Sequence, residues 1–170
     1  TNDWQRALAF YDALMAELGA KRVMDYETFV SWSQGKGRPA FVAFRDRMLE
    51  KVSHLVVGDP LHEATEVGPM ISVSEAERAL TWIEEALAHG AQLLCGGRAN
   101  GPLLEPTVLT ETRRTMKVEC AEVFAPVVTL TPYDDFEEAL ARVHDSPYGL
   151  QVGVFTRDLG LPLVKVPYAN

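Results

Sequence analysis

The chain has 170 residues, of which 47% are hydrophobic, and its formal net charge at neutral pH is −8. This length suits one globular domain, or one domain with a small appendage, and supplies enough apolar residues for a core. The acidic balance argues against nucleic acid and membrane surfaces as partners, and no apolar run is long enough to span a bilayer. Two cysteines, Cys95 and Cys120, do not make a disulfide framework. With no signal-peptide pattern at the N-terminus, we expect a reduced, cytoplasmic protein.

The first predicted element is an amphipathic helix over residues 4–18. Residues 22–33 follow as an extended segment rich in β-branched and aromatic side chains, and residues 35–39 form a loop by their glycines and proline. The apolar face of the helix has residues at spacings of three and four, namely Trp4, Leu8, Tyr11, Met15 and Leu18.

The segment after this loop fits two interpretations. Residues 40–44 alone could form a buried strand, but apolar residues continue at helical spacing as far as Leu55. The longer pattern favours a helix that begins near Pro39 and ends near Leu55. Residues 57–70 are predicted to form a loop, because they contain two Gly and Pro clusters.

A second helix is predicted to begin after Ser72, because a glutamate follows three residues later at the spacing of a capping box. Gly90 is the expected end of this helix. Its predicted core face consists of Ala76, Leu80, Ile83 and Leu87.

The C-terminal half alternates between strands and helices. Strands are predicted over residues 92–95, 106–110 and 126–133, and a last strand over residues 151–156. Asp134 or Asp135 caps a helix that runs from residue 136 to about residue 143. The alternation favours the α/β class, with a mostly parallel sheet and flanking helices.

Several short motifs follow one another in the same part of the chain. The most distinctive is EVFAPV at residues 122–127. In order and spacing, the set resembles the C-terminal part of the catalytic region of the aldehyde dehydrogenase superfamily, over about residues 41–159. The other motifs are VGDPL (57–61), VGPMIS (67–72), LLCGG (93–97), LEPTVL (104–109), DSPYGL (145–150) and GVFTRD (153–158).

This resemblance implies two cofactor-binding residues. Glu122 would accept hydrogen bonds from a ribose of NAD(P), and Phe124 would pack beside the nicotinamide end and shield hydride transfer from water. The alternative is that Glu122 is a solvated loop acid, that Phe124 belongs to the core and that no cofactor binds. One departure from the family pattern adjoins these residues, since Ala125 stands where glycine is usual.

Some parts of a complete enzyme of this family are missing from the 170 residues. We find neither a dinucleotide-binding half nor the segment with the nucleophilic cysteine and the general-base glutamate, because Cys95 and Cys120 match other positions. The implied function is an aldehyde dehydrogenase-like oxidoreductase fragment that does not oxidise aldehydes alone, with a small-molecule ligand. Part of a fold leaves apolar surface that favours a homo-oligomer. A non-catalytic, chimeric folding or assembly module is an alternative.

The N-terminal segment resembles a different family. Over about residues 3–44 the chain is similar to part of a glyoxalase/bleomycin-resistance module, without that family's metal-binding histidine and carboxylate strands. The sequence therefore predicts two parts: a glyoxalase-like helix-hairpin appendage over residues 1–39 and an aldehyde dehydrogenase-like partial domain over residues 40–170. The motifs that carry this likeness are ALAFY (7–11), GAKRV (19–23) and GKGRPAF (35–41).

A third pattern suggests hydrolase chemistry. Ser33 and Lys36 have Ser-x-x-Lys spacing, in which a lysine activates a serine nucleophile, so a small-ester hydrolase is an alternative function. The pattern is short enough to arise by chance. The four histidines are scattered without paired spacing, and we predict no metal site.

Overall fold

The computed structural model describes residues 31–32, 38–149 and 154–155, with side chains for residues 41–149. The chain forms two compact units, one of Met48–Pro132 and the other of Thr1–Arg47 with Tyr133–Asn170. The predicted helix over residues 4–18 lies outside the described residues, so the division at residue 39 stays a prediction. Within the described ranges, no helix is both long and apolar enough to cross a membrane.

The described chain contains both helices and strands, which confirms the predicted α/β class. The helices are α1 (Arg38–Ser53), α2 (Val73–Ala88), α3 (Lys117–Cys120) and α4 (Phe136–His144). The strands are β1 (Ser31–Trp32), β2 (Gln92–Cys95), β3 (Ala99–Asn100), β4 (Leu103–Leu104), β5 (Thr107–Thr110), β6 (Val127–Leu130) and β7 (Val154–Phe155).

A three-stranded sheet in the order β2-β5-β6 organises the unit Met48–Pro132. Strand β5 is central, pairs in parallel with β6 from Thr107↔Val127 to Thr110↔Leu130, and pairs antiparallel with β2. All four residues of β5 are buried, as expected for a strand covered on both faces. The short hairpin β3-β4 is antiparallel, and in the other unit β1 pairs in parallel with β7.

Helix α2 begins as the sequence predicts. Ser72 is its N-cap and accepts a 3.2 Å hydrogen bond from the Glu75 backbone N–H, which satisfies one of the amides left unpaired at a helix start. Two of the four predicted core residues are buried, whereas Leu80 and Leu87 are half-buried. The buried face is lined largely by alanines and consists of Ala76, Ala79, Ile83 and Ala86.

The core of this unit lies between α2, β5 and the segment around α3. Ile83 and Leu109 are at most 1% exposed, and Trp82 packs against the same cluster from its half-buried position. The sheet therefore presents one face to α2, and the chain after β5 is bound to this core before it reaches β6. The remaining buried members of the cluster are Ala86, Ala91, Met116 and Val118.

The structure decides between the alternatives left open for residues 40–44 and for the cap of the last helix. Residues 40–44 belong to α1, so the helical period outweighs the local strand propensity, as expected for a pattern sustained over several turns. Asp135, rather than Asp134, caps α4, because its Oδ1 accepts a 2.9 Å hydrogen bond from the Glu138 backbone N–H.

Candidate functional site

Both residues that the family resemblance singles out lie in one segment between α3 and β6, which we call the 121–126 loop. Its first residue is fixed to α3, because the Ala121 N–H donates to the Lys117 carbonyl over 3.1 Å. Its last residue is fixed to the sheet, because the Pro126 carbonyl accepts from the Thr107 N–H over 2.8 Å. The loop is thus a short bridge with both ends held by regular structure.

The 121–126 loop presents a carboxylate and an aromatic ring two residues apart. Glu122 is exposed, and among the described residues no hydrogen bond or ion pair engages its carboxylate. Phe124 as a whole residue is 78% exposed. The alternative in which Phe124 belongs to the core is therefore wrong, and both side chains are accessible to a ligand.

Phe124 also has an unusual backbone conformation, with φ at 48°. The left-handed region costs a residue with a Cβ about 1–2 kcal/mol, since Cβ comes close to the carbonyl oxygen. Such strain persists where the surrounding structure imposes it and is enriched at functional sites. Ala125 is not among the described non-glycine residues with positive φ, so its methyl group at the family's glycine position adds no strain of this kind.

A guanidinium group holds the middle of the loop. Arg78 of α2 donates from Nη2 to the Val123 carbonyl over 2.8 Å. The same side chain pairs with Glu75 Oε2 at 2.8 Å and lies over the Trp82 ring, 4.5 Å from the ring centroid. Only 28% of the Arg78 side chain is exposed, so this contact is partly shielded from water.

A second cation connects α3 to α2 just before the loop. Lys117 Nζ lies 2.7 Å from Glu85 Oε2 and 5.9 Å from the centroid of the Trp82 ring. Arg78 and Lys117 thus both lie over the half-buried Trp82 ring, and Arg78 also donates to the Val123 carbonyl of the 121–126 loop. The cluster was not predicted from the sequence, although Arg78 lies three residues after Glu75 and four before Trp82, the spacing of neighbours on one helix face.

The two cysteines have different surroundings. Cys95 is half-buried in β2, with Sγ 3.9 Å from the Pro106 carbonyl, an environment typical of a small packing residue. Burial raises the pKa of the Cys95 thiol, and the charge of Glu105 adds to the rise. Cys120 is exposed at the end of α3. A raised pKa leaves Cys95 less of the thiolate that a nucleophile requires.

The remaining sequence predictions concern the serine–lysine pair and metal binding. Ser33 and Lys36 lie outside the described residues, so the hydrolase hypothesis stays a prediction. Among residues 31–32, 38–149 and 154–155, no group of three or more His, Cys, Asp or Glu side chains could hold a metal ion. The chemistry present in the 121–126 loop is instead that of a hydrogen-bond acceptor beside an apolar ring.

Comparison with known proteins gives a consistent family. The model of the aldehyde dehydrogenase family matches residues 38–162. A 3-sulfolactaldehyde dehydrogenase of Priestia aryabhattai is 45% identical over 119 residues, covering 70% of this chain and 25% of that protein. A putative aldehyde-dehydrogenase-like protein, y4uC of Sinorhizobium fredii, is 41% identical over 155 residues, covering 91% of this chain and 28% of that protein.

Solved structures agree with these relatives. Aldehyde dehydrogenase 21 from Physcomitrella patens, complexed with succinate, matches with a TM-score of 0.70 and 38% identity, over 72% of this chain and 25% of that one. An aldehyde dehydrogenase from Mycobacterium tuberculosis, complexed with NAD+, matches with a TM-score of 0.67 and 33% identity, over 72% and 26% of the two chains. The chain thus spans about a quarter of the length of the proteins it matches.

Proposed function

Because the chain belongs to the aldehyde dehydrogenase family, we propose that it supplies the surface of an NAD(P)-dependent oxidoreductase that contacts the ribose and nicotinamide end of the cofactor. In this proposal Glu122 accepts hydrogen bonds from the two hydroxyl groups of the ribose. Phe124 packs beside the nicotinamide ring and keeps water from it. The bound cofactor would supply the hydride acceptor for aldehyde oxidation.

One observation carries the proposal: on backbone that is anchored at both ends, the 121–126 loop carries a Glu122 carboxylate that no described residue engages and a Phe124 residue that is 78% exposed. The Glu122 carboxylate suits the ligand, since it offers several acceptor positions to the hydroxyl donors of a diol. The ring offers a flat apolar face to a nicotinamide. The positive φ of Phe124 adds support, because strain of this kind concentrates where a ligand is held.

We propose further that the 170-residue chain does not carry out the whole reaction alone. It spans about a quarter of the length of its relatives, and burial raises the pKa of the Cys95 thiol, which disfavours the thiolate that a nucleophile requires. Cytoplasmic location belongs to the same proposal, because the 170 residues offer no disulfide framework.

The glyoxalase-like origin of residues 3–44 remains a separate proposal. The alignment with the y4uC protein covers 155 of the 170 residues, so at most 15 lie outside it and it must enter residues 1–39. This extension favours a common history for the N-terminal segment and the rest of the chain. An alignment of residues 1–39 alone with both families would decide between the two origins.

Nicotinamide mononucleotide, which carries the ribose and the nicotinamide ring, tests the cofactor contact directly. We expect its titration into isotope-labelled protein to shift the backbone amide signals of Glu122 and Phe124. Glu122→Gln should raise the Kd by about one to two orders of magnitude, since a hydrogen bond to a charged group contributes roughly 1.5–3 kcal/mol. Glu63→Gln is the matched control, because Glu63 is also exposed and the charge change is the same.

Two outcomes would overturn the proposal. If saturating nicotinamide mononucleotide leaves the 121–126 loop signals unchanged, the loop is not the contact surface. If Glu122→Gln and Glu63→Gln raise the Kd equally, the effect is one of overall charge, and Glu122 has no specific role.

A further inference from the structure

Arg78 contacts the 121–126 loop through the main chain, without touching either proposed ligand-binding side chain. Its Nη2 donates to the Val123 carbonyl over 2.8 Å, linking residues 45 positions apart in sequence. A bond between a charged donor and a carbonyl is stronger than one between neutral groups. Partial burial strengthens it further, because water competes less for the carbonyl.

The guanidinium is itself held in a fixed direction. Glu75, one turn earlier on α2, accepts from Arg78 Nε over 2.8 Å, and Trp82, one turn later, lies under the guanidinium at 4.5 Å. Glu75 lies in the first turn of α2, whose start is capped by Ser72. The planar guanidinium of Arg78 has several donors and can bind Glu75 and the Val123 carbonyl at the same time. A lysine ammonium on its flexible stem holds two acceptors less firmly.

The carbonyl that Arg78 engages controls the conformation of the next residue. The Val123 oxygen belongs to the peptide plane that joins Val123 to Phe124, and rotation of this plane changes φ of Phe124. A hydrogen bond to that oxygen therefore restrains Phe124 at its φ of 48° and offsets the steric cost of the left-handed region. Glu122, on the other side of Val123, is restrained by the same bond and by the link from Ala121 to α3.

We propose that Arg78 is a positioning residue that fixes the 121–126 loop in the conformation in which Glu122 and Phe124 receive the ribose and nicotinamide. The inference rests on the proposed function and adds the element that preorganises the site. A loop held in its binding conformation before the ligand arrives loses less conformational freedom on binding. Arg78 thus contributes to affinity without contacting the ligand.

Three variants test the role of Arg78 in the full 170-residue chain. Arg78→Met keeps a long side chain but removes the donors, Arg78→Lys keeps the charge and one donor group, and Arg98→Met removes an exposed arginine elsewhere. The first readout is the coupling constant between the amide and α protons of Phe124, which reports φ and needs no ligand. The second is the Kd for nicotinamide mononucleotide.

We expect Arg78→Met to change the Phe124 coupling constant and to raise the Kd about two- to tenfold. The Kd rises because the unrestrained loop must then be ordered when the ligand binds, and this ordering costs conformational entropy. Arg78→Lys should recover part of both effects, and Arg98→Met should change neither. A merely structural role would lower the denaturant midpoint while leaving the Phe124 coupling constant of the folded protein unchanged.

The outcomes separate this inference from the function on which it rests. If wild-type protein binds nicotinamide mononucleotide and Arg78→Met binds it equally well, Arg78 has no positioning role and the proposed function stands. If the wild type does not bind, the proposed function fails, and the ligand-related role of Arg78 fails with it. An unchanged Phe124 coupling constant in Arg78→Met overturns the inference whatever the ligand does.

Discussion

Two substitutions of Phe124 separate the stability of the 121–126 loop from its function. Phe124→Ala removes the ring and keeps a Cβ in the left-handed backbone region, whereas Phe124→Gly removes both the ring and the Cβ. Because φ is 48° and Phe124 is 78% exposed, the backbone contributes more to the difference in stability between these variants than burial does.

The magnitude follows from three terms. About one fifth of Phe124 is removed from water, since the residue is 78% exposed, so loss of the ring costs roughly 0.3–0.7 kcal/mol in either variant. Glycine relieves the left-handed strain by about 1–2 kcal/mol. Its greater freedom in the unfolded chain costs about 0.5–1 kcal/mol. Phe124→Gly should therefore be more stable than Phe124→Ala by roughly 0.5–1 kcal/mol.

Urea unfolding of both variants measures this difference, and titration with nicotinamide mononucleotide measures function. We expect both variants to lose the ring-dependent part of the affinity, in spite of their different stabilities. An alanine variant at least as stable as the glycine variant would refute the reasoning, because Phe124 could not then have positive φ. A variant that binds as tightly as the wild type would refute the role of the ring.

Two further predictions concern a backbone turn and the assembly state. Gly96→Ala should destabilise the protein by about 2–5 kcal/mol, since left-handed strain adds to overpacking, and the new Cβ would lie 2.3 Å from the Pro106 carbonyl oxygen. Gly101→Ala, at a φ of 57° with no heavy atom within 4 Å, is the control and should cost about 1–2 kcal/mol; equal denaturant midpoints would contradict the proposed clash. We also expect a homodimer or larger assembly, since Leu61 and Ile71 are 89% and 93% exposed. A monomer at high micromolar concentration in light scattering would contradict this.

Local signals allowed much of the fold to be predicted. The side chains of Ser72 and Asp135 each accept a hydrogen bond from the backbone N–H three residues later. Capping residues therefore mark both helix starts to within one residue. The buried face of α2 was harder to predict, because leucine is more hydrophobic than alanine, yet Ala79 is buried and Leu80 is only half-buried. Close packing depends on which side chains are small enough for neighbouring backbone to approach, and this follows from tertiary contact rather than from periodicity.

The candidate site shows a different limit. Glu122 and Phe124 were identified by a family motif, since an isolated acid and phenylalanine have no chemical signature of their own. The family's usual glycine at position 125 suggests a left-handed conformation at that position, but this conformation occurs at Phe124 and not at Ala125. Arg78 was missed because its partner, the Val123 carbonyl, is 45 residues away and a main-chain acceptor leaves no trace in the sequence.

Aldehyde turnover tests the proposed division of labour between this chain and a complete enzyme. Oxidation in this family begins with attack by a cysteine thiolate on the aldehyde, and burial raises the pKa of the Cys95 thiol, which disfavours the thiolate. We therefore expect no aldehyde-dependent formation of NADH or NADPH by the 170-residue chain, followed by absorbance. Turnover that survives Cys95→Ala combined with Cys120→Ala would contradict this account of the chemistry. Turnover abolished by one of these substitutions alone would identify that cysteine as a nucleophile and would also refute the expectation.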